Sequence, residues 1–415
     1  MKTLLVGVDW GREHVQFVAE EEDEERVLWK DRSRATPKAI DVVLRHIRRL
    51  AEQNDVSLVR VAIEQKASRL VEALMDAGFE VWFVRPQQVD LLRELMFSSK
   101  AKDDLRDARA MVGLLRSMRS ALVRLESLQP ERAELRSLTR ARKSLVADRT
   151  ALLNKLQSTF HDCFPELLEI VKPNAQWFTS LWRLVRTPAG ARATSLDDIR
   201  SLLKASRVRK ITPEEVHARL VEATDYCGQG DWTLVVELEL ERLELVRKQI
   251  KRLEATIAGK LDAIHVAERV RREEAGETLT NVEIIDSLPG VGPVQTSVMV
   301  AEQLPELIEA QVARMVTGVA PVLKTTGQRQ TKRQGTVSMR RACNPYLRDA
   351  VHGMVERAIG VDPWVCEQYG VLRARGHTHG RACRQMGDRM LKRLRAMLRE
   401  RTLWQSPPTQ KRCAA

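Results

Sequence analysis

The stretch Ser98–Leu115, SSKAKDDLRDARAMVGLL, has the apolar spacing of an amphipathic helix and carries Asp104 and Asp107 three residues apart. Residues at i and i+3 lie on one face of an α-helix, so both carboxylates are expected to project together near the helix N-terminus. Two like charges at this spacing repel each other unless a cation lies between them. Nearby lysines and arginines could supply that cation, and so could a divalent metal.

The N-terminal third has the pattern of a mixed sheet interleaved with helices. A β-branched and aliphatic run ends in Asp-Trp-Gly, and two further short strands follow it around an acidic loop. Thr36-Pro37 then opens a helix, and two more strands alternate with helices. The order βββ, α, β, α, β, α indicates an α/β layer. The predicted strands are Lys2–Asp9, Val15–Ala19, Arg26–Trp29, Val59–Ile63 and Glu80–Val84.

Two more acids stand at the ends of predicted strands, Asp9 after the first and Glu64 after the fourth. In a sheet of this topology the first and fourth strands are neighbours, so these acids are expected to meet near the helix that carries Asp104 and Asp107. Hard carboxylate oxygens gathered in this way suit Mg²⁺. Two such ions can activate a nucleophilic oxygen and stabilise the leaving oxygen in phosphoryl transfer. The sequence therefore predicts a magnesium site made of four acids.

Two long charged stretches, Pro130–Phe160 and Leu234–Glu274, have leucines near heptad spacing and predict long helices. They are expected to form an antiparallel coiled coil or to serve as a dimer arm. The intervening Pro173–Gln229 has a mixed helical pattern that indicates no role. The apolar positions that support this prediction are Leu135, Leu138, Leu145, Leu152, Leu156, Leu238, Leu245 and Ile250.

From Leu288 the sequence reads LPGVGPVQTSVMVAEQL and contains a Pro-Gly-x-Gly-Pro turn that leads into a predicted helix. This pattern is typical of a helix-hairpin-helix motif. Gly290 and Gly292 would let backbone N–H groups approach a DNA phosphate at the helix N-terminus. A tight turn between packed helices is the alternative interpretation.

Basic residues near the C-terminus are candidates for phosphate contacts. Arg340, Arg341 and Arg348 flank a Gly-, Thr- and Lys-rich loop, and their guanidinium groups match phosphate oxygens. His377 and His379 lie in a basic, glycine-flanked turn, which predicts either a phosphate contact or a solvated loop.

The net charge of +13 is concentrated at one end of the chain. Residues 321–415 hold 20 Lys and Arg against 6 Asp and Glu, whereas the preceding 320 residues hold 49 against 50. Positive charge confined to one end of the chain indicates a surface that binds a polyanion, most often nucleic acid. A solvated charged tail is the alternative. The six scattered cysteines form no CxxC pair and argue against a disulfide framework, so a cytoplasmic protein is expected. No apolar run is long enough for a membrane helix or a signal peptide.

The motifs together resemble those of the Piv-type DNA invertases and their insertion-sequence transposase relatives. The DEDD signature of that family is matched by GVDWG with Asp9, AIEQ with Glu64, and KDDLRDA with Asp104 and Asp107. The resemblance continues through DSLPGVGP, TGVAPVLKTTGQ and MRRACNPYLRDA to DPWVCEQYGVLRARGHTHGRA, which ends at Ala382. It implies an N-terminal domain of RNase H-like fold, similar to a Holliday-junction resolvase (RuvC-like).

The resemblance also implies a second catalytic element. Family members pair the DEDD domain with a C-terminal domain whose serine attacks a DNA phosphate, and several are guided by a non-coding RNA encoded in the element. Thr326 stands here at the position of that serine. Its β-methyl group restricts the rotamer and crowds an in-line attack. Three alternatives remain: Thr326 is the nucleophile, Ser338 replaces it, or the copy is impaired in strand exchange.

These inferences predict a transposase or site-specific recombinase that acts on the ends of its element and on target DNA, with Mg²⁺ as cofactor, as a homodimer or homotetramer associated with the bacterial nucleoid. The alternatives are a metal-dependent junction endonuclease that does not rejoin DNA and a non-catalytic nucleic-acid-binding protein. The predicted domains are an RNase H-like domain at 1–125, long helices at 126–280, an all-α domain at 281–404 and a tail at 405–415.

Overall fold

The computed structural model describes residues 2–11, 13–23, 26–65, 68–97, 103–125, 129–226, 231–324 and 336–408. The chain folds into two compact units, Met1–Gln129 and Pro130–Ala415. The first contains a mixed sheet with helices, and the second is almost entirely helical. This confirms the prediction of an N-terminal α/β unit followed by a mainly helical remainder.

The first unit is built on a six-stranded sheet in the order β3-β2-β1-β4-β5-β6. β1 pairs with β2 antiparallel and with β4 parallel, so the first and fourth strands are neighbours, as predicted. β6 is a short antiparallel edge strand that the sequence did not predict. The strands are β1 Thr3–Trp10, β2 His14–Glu21, β3 Val27–Arg34, β4 Leu58–Ile63, β5 Glu80–Phe83 and β6 Val123–Leu125.

Four helices pack on this sheet: α1 Pro37–Gln53, α2 Arg69–Asp76, α3 Pro86–Met96 and α4 Asp104–Met118. α4 begins later than the sequence predicted, because Asp103 has extended backbone geometry and caps it. The Asp103 carboxylate accepts a hydrogen bond of 3.2 Å from the Leu105 N–H. α3 is a separate helix whose C-terminal cap, Phe97, also has extended backbone geometry.

The second unit contains fourteen helices and one two-stranded hairpin among the described residues. Its hairpin pairs β7 Val322–Lys324 with β8 Thr336–Ser338. The helices are α5 Pro130–Cys163, α6 Pro165–Ile170, α7 Phe178–Val185, α8 Pro188–Ala193, α9 Leu196–Ala205, α10 Pro213–Val221, α11 Trp232–Glu274, α12 Asn281–Asp286, α13 Pro293–Ala301, α14 Leu304–Glu309, α15 Ala313–Val316, α16 Pro345–Val361, α17 Pro363–Ala374 and α18 His379–Glu400.

α5 and α11 lie antiparallel within the chain. Their ion pairs show this direction, because residues later in α5 contact residues earlier in α11. The pairs are Glu134–Lys260 at 2.7 Å, Arg142–Glu254 at 2.6 Å and Lys155–Glu239 at 2.7 Å. The buried apolar positions of α11 recur at heptad spacing, namely Val236, Leu240, Leu243, Ile250, Ile257, Leu261 and Ile264. The prediction that Leu238 and Leu245 belong to this seam is wrong, because these side chains point outward and are half exposed.

Two apolar cores lie along this helix pair. At one end α6 and the predicted insert, which forms α7–α10, wrap around the helices, with Phe160, Trp182 and Leu240 fully buried between them. At the other end α12–α18 pack around Leu135 and Ile257 and form the C-terminal core. The insert is therefore a folded cap on the long helices.

Two further expectations concern cysteines and membranes. Cys163 is disulfide-bonded, a single crosslink that the sequence argument against a disulfide framework did not identify. Among the described residues, no helix combines the length and apolar character that a membrane crossing requires.

Candidate active site

The parallel pairing of β1 and β4 brings the first two predicted acids side by side. Val8 pairs with Ile63, Asp9 is the next residue of β1, and Glu64 directly follows β4. Both acids are partly buried. The strand register therefore places both carboxylates at the same edge of the sheet, as the sequence predicted.

Strand alternation assigns the same two acids to the face of the sheet that α4 covers. Leu5 of β1 and Ala62 of β4 pack with α4 in one buried cluster, whereas their strand neighbours pack on the opposite face. Side chains at i and i+2 share a face of a strand. Asp9 is four positions from Leu5, and Glu64 is two positions from Ala62, so both point toward α4.

Gly7 sets how closely α4 approaches this face. A Cβ atom at Gly7 would lie 2.0 Å from the Ala108 carbonyl oxygen, well inside contact distance. Only a residue without a side chain allows the helix backbone to rest on the strand here. The first turn of α4, which carries Asp104 and Asp107, is therefore held against the strand that carries Asp9.

Asp107 is the most buried of the four acids, and its partner is Arg93 of α3. The Arg93 guanidinium donates a short hydrogen bond to Asp107 Oδ1 and a second one, of 2.8 Å, to Asp90. The hydrogen bond to Asp107 is the largest of the influences that raise the pKa of Arg93. Arg93 is thus the cation that pairs with Asp107, and the sequence did not identify it because it comes from a different helix.

Asp104 lies in a different environment at the start of α4. Its side chain is about half exposed, and Arg32 of β3 approaches it at 3.8 Å. An exposed pair at this distance contributes little to stability. Arg109, one of the cations near the pair in sequence, lies 3.7 Å from Glu20. Asp104 therefore offers a solvent-accessible carboxylate beside the buried Asp107.

The predicted nucleophile cannot be placed in the same way, because Thr326 lies outside the described residues. The alternative, Ser338, ends β8, and its hydroxyl donates a long hydrogen bond of 3.5 Å to the Val322 carbonyl across the hairpin. Ser338 is partly buried and belongs to regular strand pairing.

The three predicted DNA-binding arginines occupy different environments in the second unit. Arg341 is exposed, and Arg340 is partly buried. Arg348 donates a 3.0 Å hydrogen bond to Asp349, which raises the pKa of this guanidinium. Asp349 also accepts from Lys143 of α5 at 2.6 Å. Arg348 is therefore paired within α16, next to the Lys143–Asp349 bond to α5, and Arg341 is the more accessible cation.

The two predicted hairpin glycines also differ. Gly290 has a positive φ of 77°, and a Cβ there would lie 2.3 Å from the Met354 carbonyl oxygen of α16. The Gly290 carbonyl accepts a 2.7 Å hydrogen bond from Arg357. Packing against α16 thus explains why glycine stands at 290. Gly292 is the N-cap of α13 and is partly exposed, so it remains the candidate for a phosphate contact.

Two family models match the chain. Residues 6–165 match the DEDD domain model of IS110, described as a transposase, and residues 282–370 match the model described as the transposase IS116/IS110/IS902 family. The first match covers the four acids and nearly all of the sheet, and the second covers the part of the C-terminal core that precedes α18.

Relatives of known sequence agree with these models. The IS116 insertion-element protein of Streptomyces clavuligerus, an uncharacterized 44.8 kDa protein, is 27% identical over 98% of this chain and 97% of its own length. The uncharacterized IS110 protein of Streptomyces coelicolor is 26% identical over 84% of each chain. A Sinorhizobium fredii protein whose name describes it as a transposase, y4uE, is 35% identical, but the match spans only 37% of this chain and 43% of that protein.

Among solved structures, T. thermophilus RuvC in complex with a Holliday junction substrate is similar over 30% of this chain and 99% of its own, at 17% identity and a TM-score of 0.22. That score is too low to support any conclusion on the fold.

The chain belongs to the IS110/IS116 family of insertion-sequence transposases.

Proposed function

We propose that this transposase cuts and rejoins DNA at the ends of its insertion sequence and at a target site, with Asp9, Glu64, Asp104 and Asp107 as its metal-binding catalytic acids. The observation that carries the proposal is that β1 and β4 end side by side at Asp9 and Glu64, and that α4, whose first turn carries Asp104 and Asp107, rests on β1 at Gly7. The strand order, with three antiparallel strands followed by two parallel ones, favours an RNase H-like assignment.

The donor set fits Mg²⁺. All four side chains are carboxylates, the hard oxygen ligands that Mg²⁺ prefers, and the exposed Asp104 leaves room for water and substrate oxygens. When bound, the metal would supply Lewis-acid activation of the attacking oxygen and stabilisation of the leaving one. Arg93 holds one oxygen of Asp107 and so orients this carboxylate before any metal arrives.

Thr326 is the nucleophile in this proposal, by family resemblance. Its hydroxyl loses its proton as Oγ bonds to a DNA phosphorus, the bond between that phosphorus and a deoxyribose oxygen breaks, and the leaving oxygen takes up a proton. The phosphodiester energy is conserved in the protein–DNA bond, and the free hydroxyl of another strand can reverse the step. Ser338 is the weaker candidate because its hydroxyl faces the backbone of its own hairpin.

DNA contacts would come from the second unit. Arg341 is exposed and suits a phosphate, while Gly292, the N-cap of α13, is the candidate for a second phosphate contact at a helix N-terminus. We expect substitution of Arg341 to weaken DNA binding and to lower its salt dependence.

A guide RNA encoded by the element is the further partner that the family resemblance implies. The insert contains an open groove of about 1430 Å³. Its lining holds five cationic side chains, two glutamates and the indole ring of a tryptophan, which suits a polyanion. Cations with interleaved aromatic rings are typical of single-stranded nucleic-acid sites. The lining residues that support this assignment are Lys172, Trp177, Arg207, Arg209, Lys210 and Arg219.

Recombination of two duplexes requires more than one active site, so the working form is proposed to be a homodimer or homotetramer. The exposed apolar positions Leu234, Leu238 and Leu245 of α11 support assembly through the long helices. These side chains lie away from the seam with α5.

Two alternatives make different predictions. A junction endonuclease that does not rejoin DNA would need the four acids and tolerate loss of Thr326. A non-catalytic nucleic-acid-binding protein would bind DNA equally well with EDTA or with Asp104→Ala, and would form no product. The burial of Asp107 against Arg93 at the edge of the sheet favours a built site over scattered surface charge.

Quantitative sequencing of element junctions in cells tests the proposal. Wild type is compared with Asp104→Ala, Thr326→Ala and Ser338→Ala in the natural flanks of the element. The proposal predicts junctions in wild type and Ser338→Ala, and at least a thousandfold fewer with Asp104→Ala and Thr326→Ala, since each removes a group that acts on the reacting phosphate. Junctions that persist in Thr326→Ala would contradict the nucleophile assignment.

A further inference from the structure

Three side chains of metal-ligand type meet in the second unit, outside the acidic site. His352 and Glu356 are four residues apart on α16 and therefore share a face of that helix. His379, the first residue of α18, approaches the same glutamate, and the sequence did not predict a helix start at this residue. One ligand atom from each of the three side chains lies within 4.8 Å of the other two. The fold thus brings two imidazoles and one carboxylate together from two helices.

One carboxylate oxygen lies close to both imidazole rings. Glu356 Oε1 is 3.3 Å from His352 Nε2 and 3.4 Å from His379 Nε2. Two ligand atoms at this separation, each about 2.0–2.1 Å from a shared zinc ion, subtend an angle of about 110° at the metal. The three side chains are 40–53% exposed, so rotation of the rings can bring all three onto one ion. The spacing therefore suits a shared ion.

Tyr369 of α17 orients the ring of His379. Its hydroxyl lies 2.9 Å from His379 Nδ1, and the two rings meet edge to face. Histidines that bind metals usually donate the N–H of their other ring nitrogen to an oxygen, which fixes the tautomer. In that tautomer the lone pair of His379 Nε2 faces the Glu356 carboxylate, and a cation between the two removes their repulsion. Tyr369 thus supplies the outer contact that is typical of a metal-bound histidine.

Cys383 is a neighbour of this group and not one of its ligands. Its Sγ lies 3.7 Å from both ring nitrogens of His379, so it is not directed at Nε2. The cysteine is also buried, whereas the other three side chains are about half exposed. The candidate ligands are therefore two histidines and one glutamate.

We propose that His352, Glu356 and His379 bind one Zn²⁺ ion whose fourth position is open to solvent. Two imidazole nitrogens with one carboxylate favour zinc over Mg²⁺ and Ca²⁺, which take oxygen ligands. Structural zinc sites are closed by four protein ligands, whereas sites with three protein ligands keep a position for water or an anionic oxygen. The exposure of the three side chains leaves this fourth position accessible. The ion joins α16 to α18.

Metal binding by the full chain tests the proposal. The protein carries Asp9→Asn and Asp107→Asn, so that the acidic site does not compete for metal. The metal-free form is titrated with Zn²⁺ and, separately, with Co²⁺, whose visible bands report the coordination geometry and whose charge-transfer band reports any thiolate ligand. Circular dichroism establishes that each variant is folded. The ligand variants are His352→Ala, Glu356→Gln and His379→Ala, and His377→Ala is the matched control from the turn before α18.

The proposal predicts one saturable Zn²⁺ per chain in the background protein and in His377→Ala. Affinity falls about 100-fold or more in each ligand variant, since each loses a direct ligand, and about tenfold in Tyr369→Phe, which loses only the outer contact. Cys383→Ala keeps the affinity of the background protein, and the Co²⁺ form shows no thiolate charge-transfer band.

Three results would overturn this assignment. The folded background protein binds no Zn²⁺, in which case the three side chains form only exposed ion pairs of the kind that contribute little to stability. Glu356→Gln and His379→Ala bind Zn²⁺ as tightly as His377→Ala, which would place the ion elsewhere. A thiolate band appears in the Co²⁺ form, which would contradict a ligand set of two histidines and one glutamate.

Discussion

The two units position their chemistry in different ways. In the first, β1 and β4 fix Asp9 and Glu64 through strand register, and Gly7 brings α4 onto the same face. In the second, His352 and Glu356 of α16 meet His379 of α18, and the relative placement of these two helices depends on packing. A sheet edge thus collects residues that the strand pattern already identifies. A helix pair collects residues whose meeting requires the tertiary structure.

The first prediction breaks the contact on which the sheet site depends. Gly7→Val places a side chain where the Ala108 carbonyl already lies, so α4 must move away from β1. We expect a loss of about 3 kcal/mol in the unfolding free energy of the first unit, with no detectable element junctions. Chemical denaturation followed by circular dichroism measures the first effect.

The matched control is Gly259→Ala in α11, where a Cβ meets no atom within 4 Å. Alanine in an open helical position is expected to stabilise the protein by about 0.5–1 kcal/mol. Equal stability of Gly7→Val and wild type would show that α4 does not rest on β1.

The second prediction tests whether Arg93 and a metal can neutralise the same carboxylate. Arg93→Leu leaves Asp107 with an uncompensated charge in a site where both side chains are about nine-tenths buried, at a cost of about 3 kcal/mol. Because a divalent ion would compensate that charge, we expect millimolar Mg²⁺ to restore part of the lost stability.

Thermal melts with and without MgCl₂ measure this recovery. Arg109→Leu is the control, since its 3.7 Å contact to Glu20 is longer and Arg109 is 40% exposed. If Arg93→Leu loses the same stability with and without Mg²⁺, Asp107 does not bind the metal.

The third prediction concerns electrostatics in the helical unit. Hydrogen bonds from Lys155 at 2.7 Å, and from Arg242, lower the pKa of the Glu239 carboxyl in the seam between α5 and α11. A lowered native pKa contributes stability above the unfolded value of about 4.3, and this stability is lost as pH falls through the native pKa. Glu239→Gln should cost about 1 kcal/mol at pH 7 and nothing at the acid end.

Denaturation curves from pH 7 down to the acid limit measure this difference. Glu241→Gln, at an exposed position of the same helix, should match wild type throughout. A deficit in Glu239→Gln that does not change with pH would assign the effect to packing.

The fourth prediction has the smallest effect on stability. Leu238→Glu with Leu245→Glu changes two half-exposed positions outside the seam, so the unfolding free energy should stay within about 0.5 kcal/mol of wild type. If the long helices assemble through this face, the oligomer should dissociate. Light scattering after gel filtration measures the mass, and an unchanged oligomer would place the interface elsewhere.

Much of the fold of the first unit can be predicted from its sequence, because a β-strand leaves a recognisable pattern in its own few residues. Alternation and turn residues predict β1 and β4, and the order of elements predicts that they are neighbours. Arg93 was missed because nothing in the spacing of α3 shows that it reaches α4. Likewise, the leucines at 238 and 245 have heptad spacing, but the face that α11 buries is chosen by α5. The sequence placed His379 in a turn with either a phosphate contact or a solvated loop as its role, and the start of α18 at this residue was missed because the helix begins without a side-chain cap.

The most direct test of the central claim is Mn²⁺ binding followed by electron paramagnetic resonance, with His379→Ala as background so that the second unit does not contribute. The variants are Asp9→Asn and Asp107→Asn, and the control is Asp103→Asn, an adjacent residue at which asparagine can still cap α4. The account predicts Mn²⁺ binding in the background protein and in Asp103→Asn, and affinity at least tenfold weaker in the other two. Equal Mn²⁺ affinity in all four proteins would contradict a metal site built from these acids.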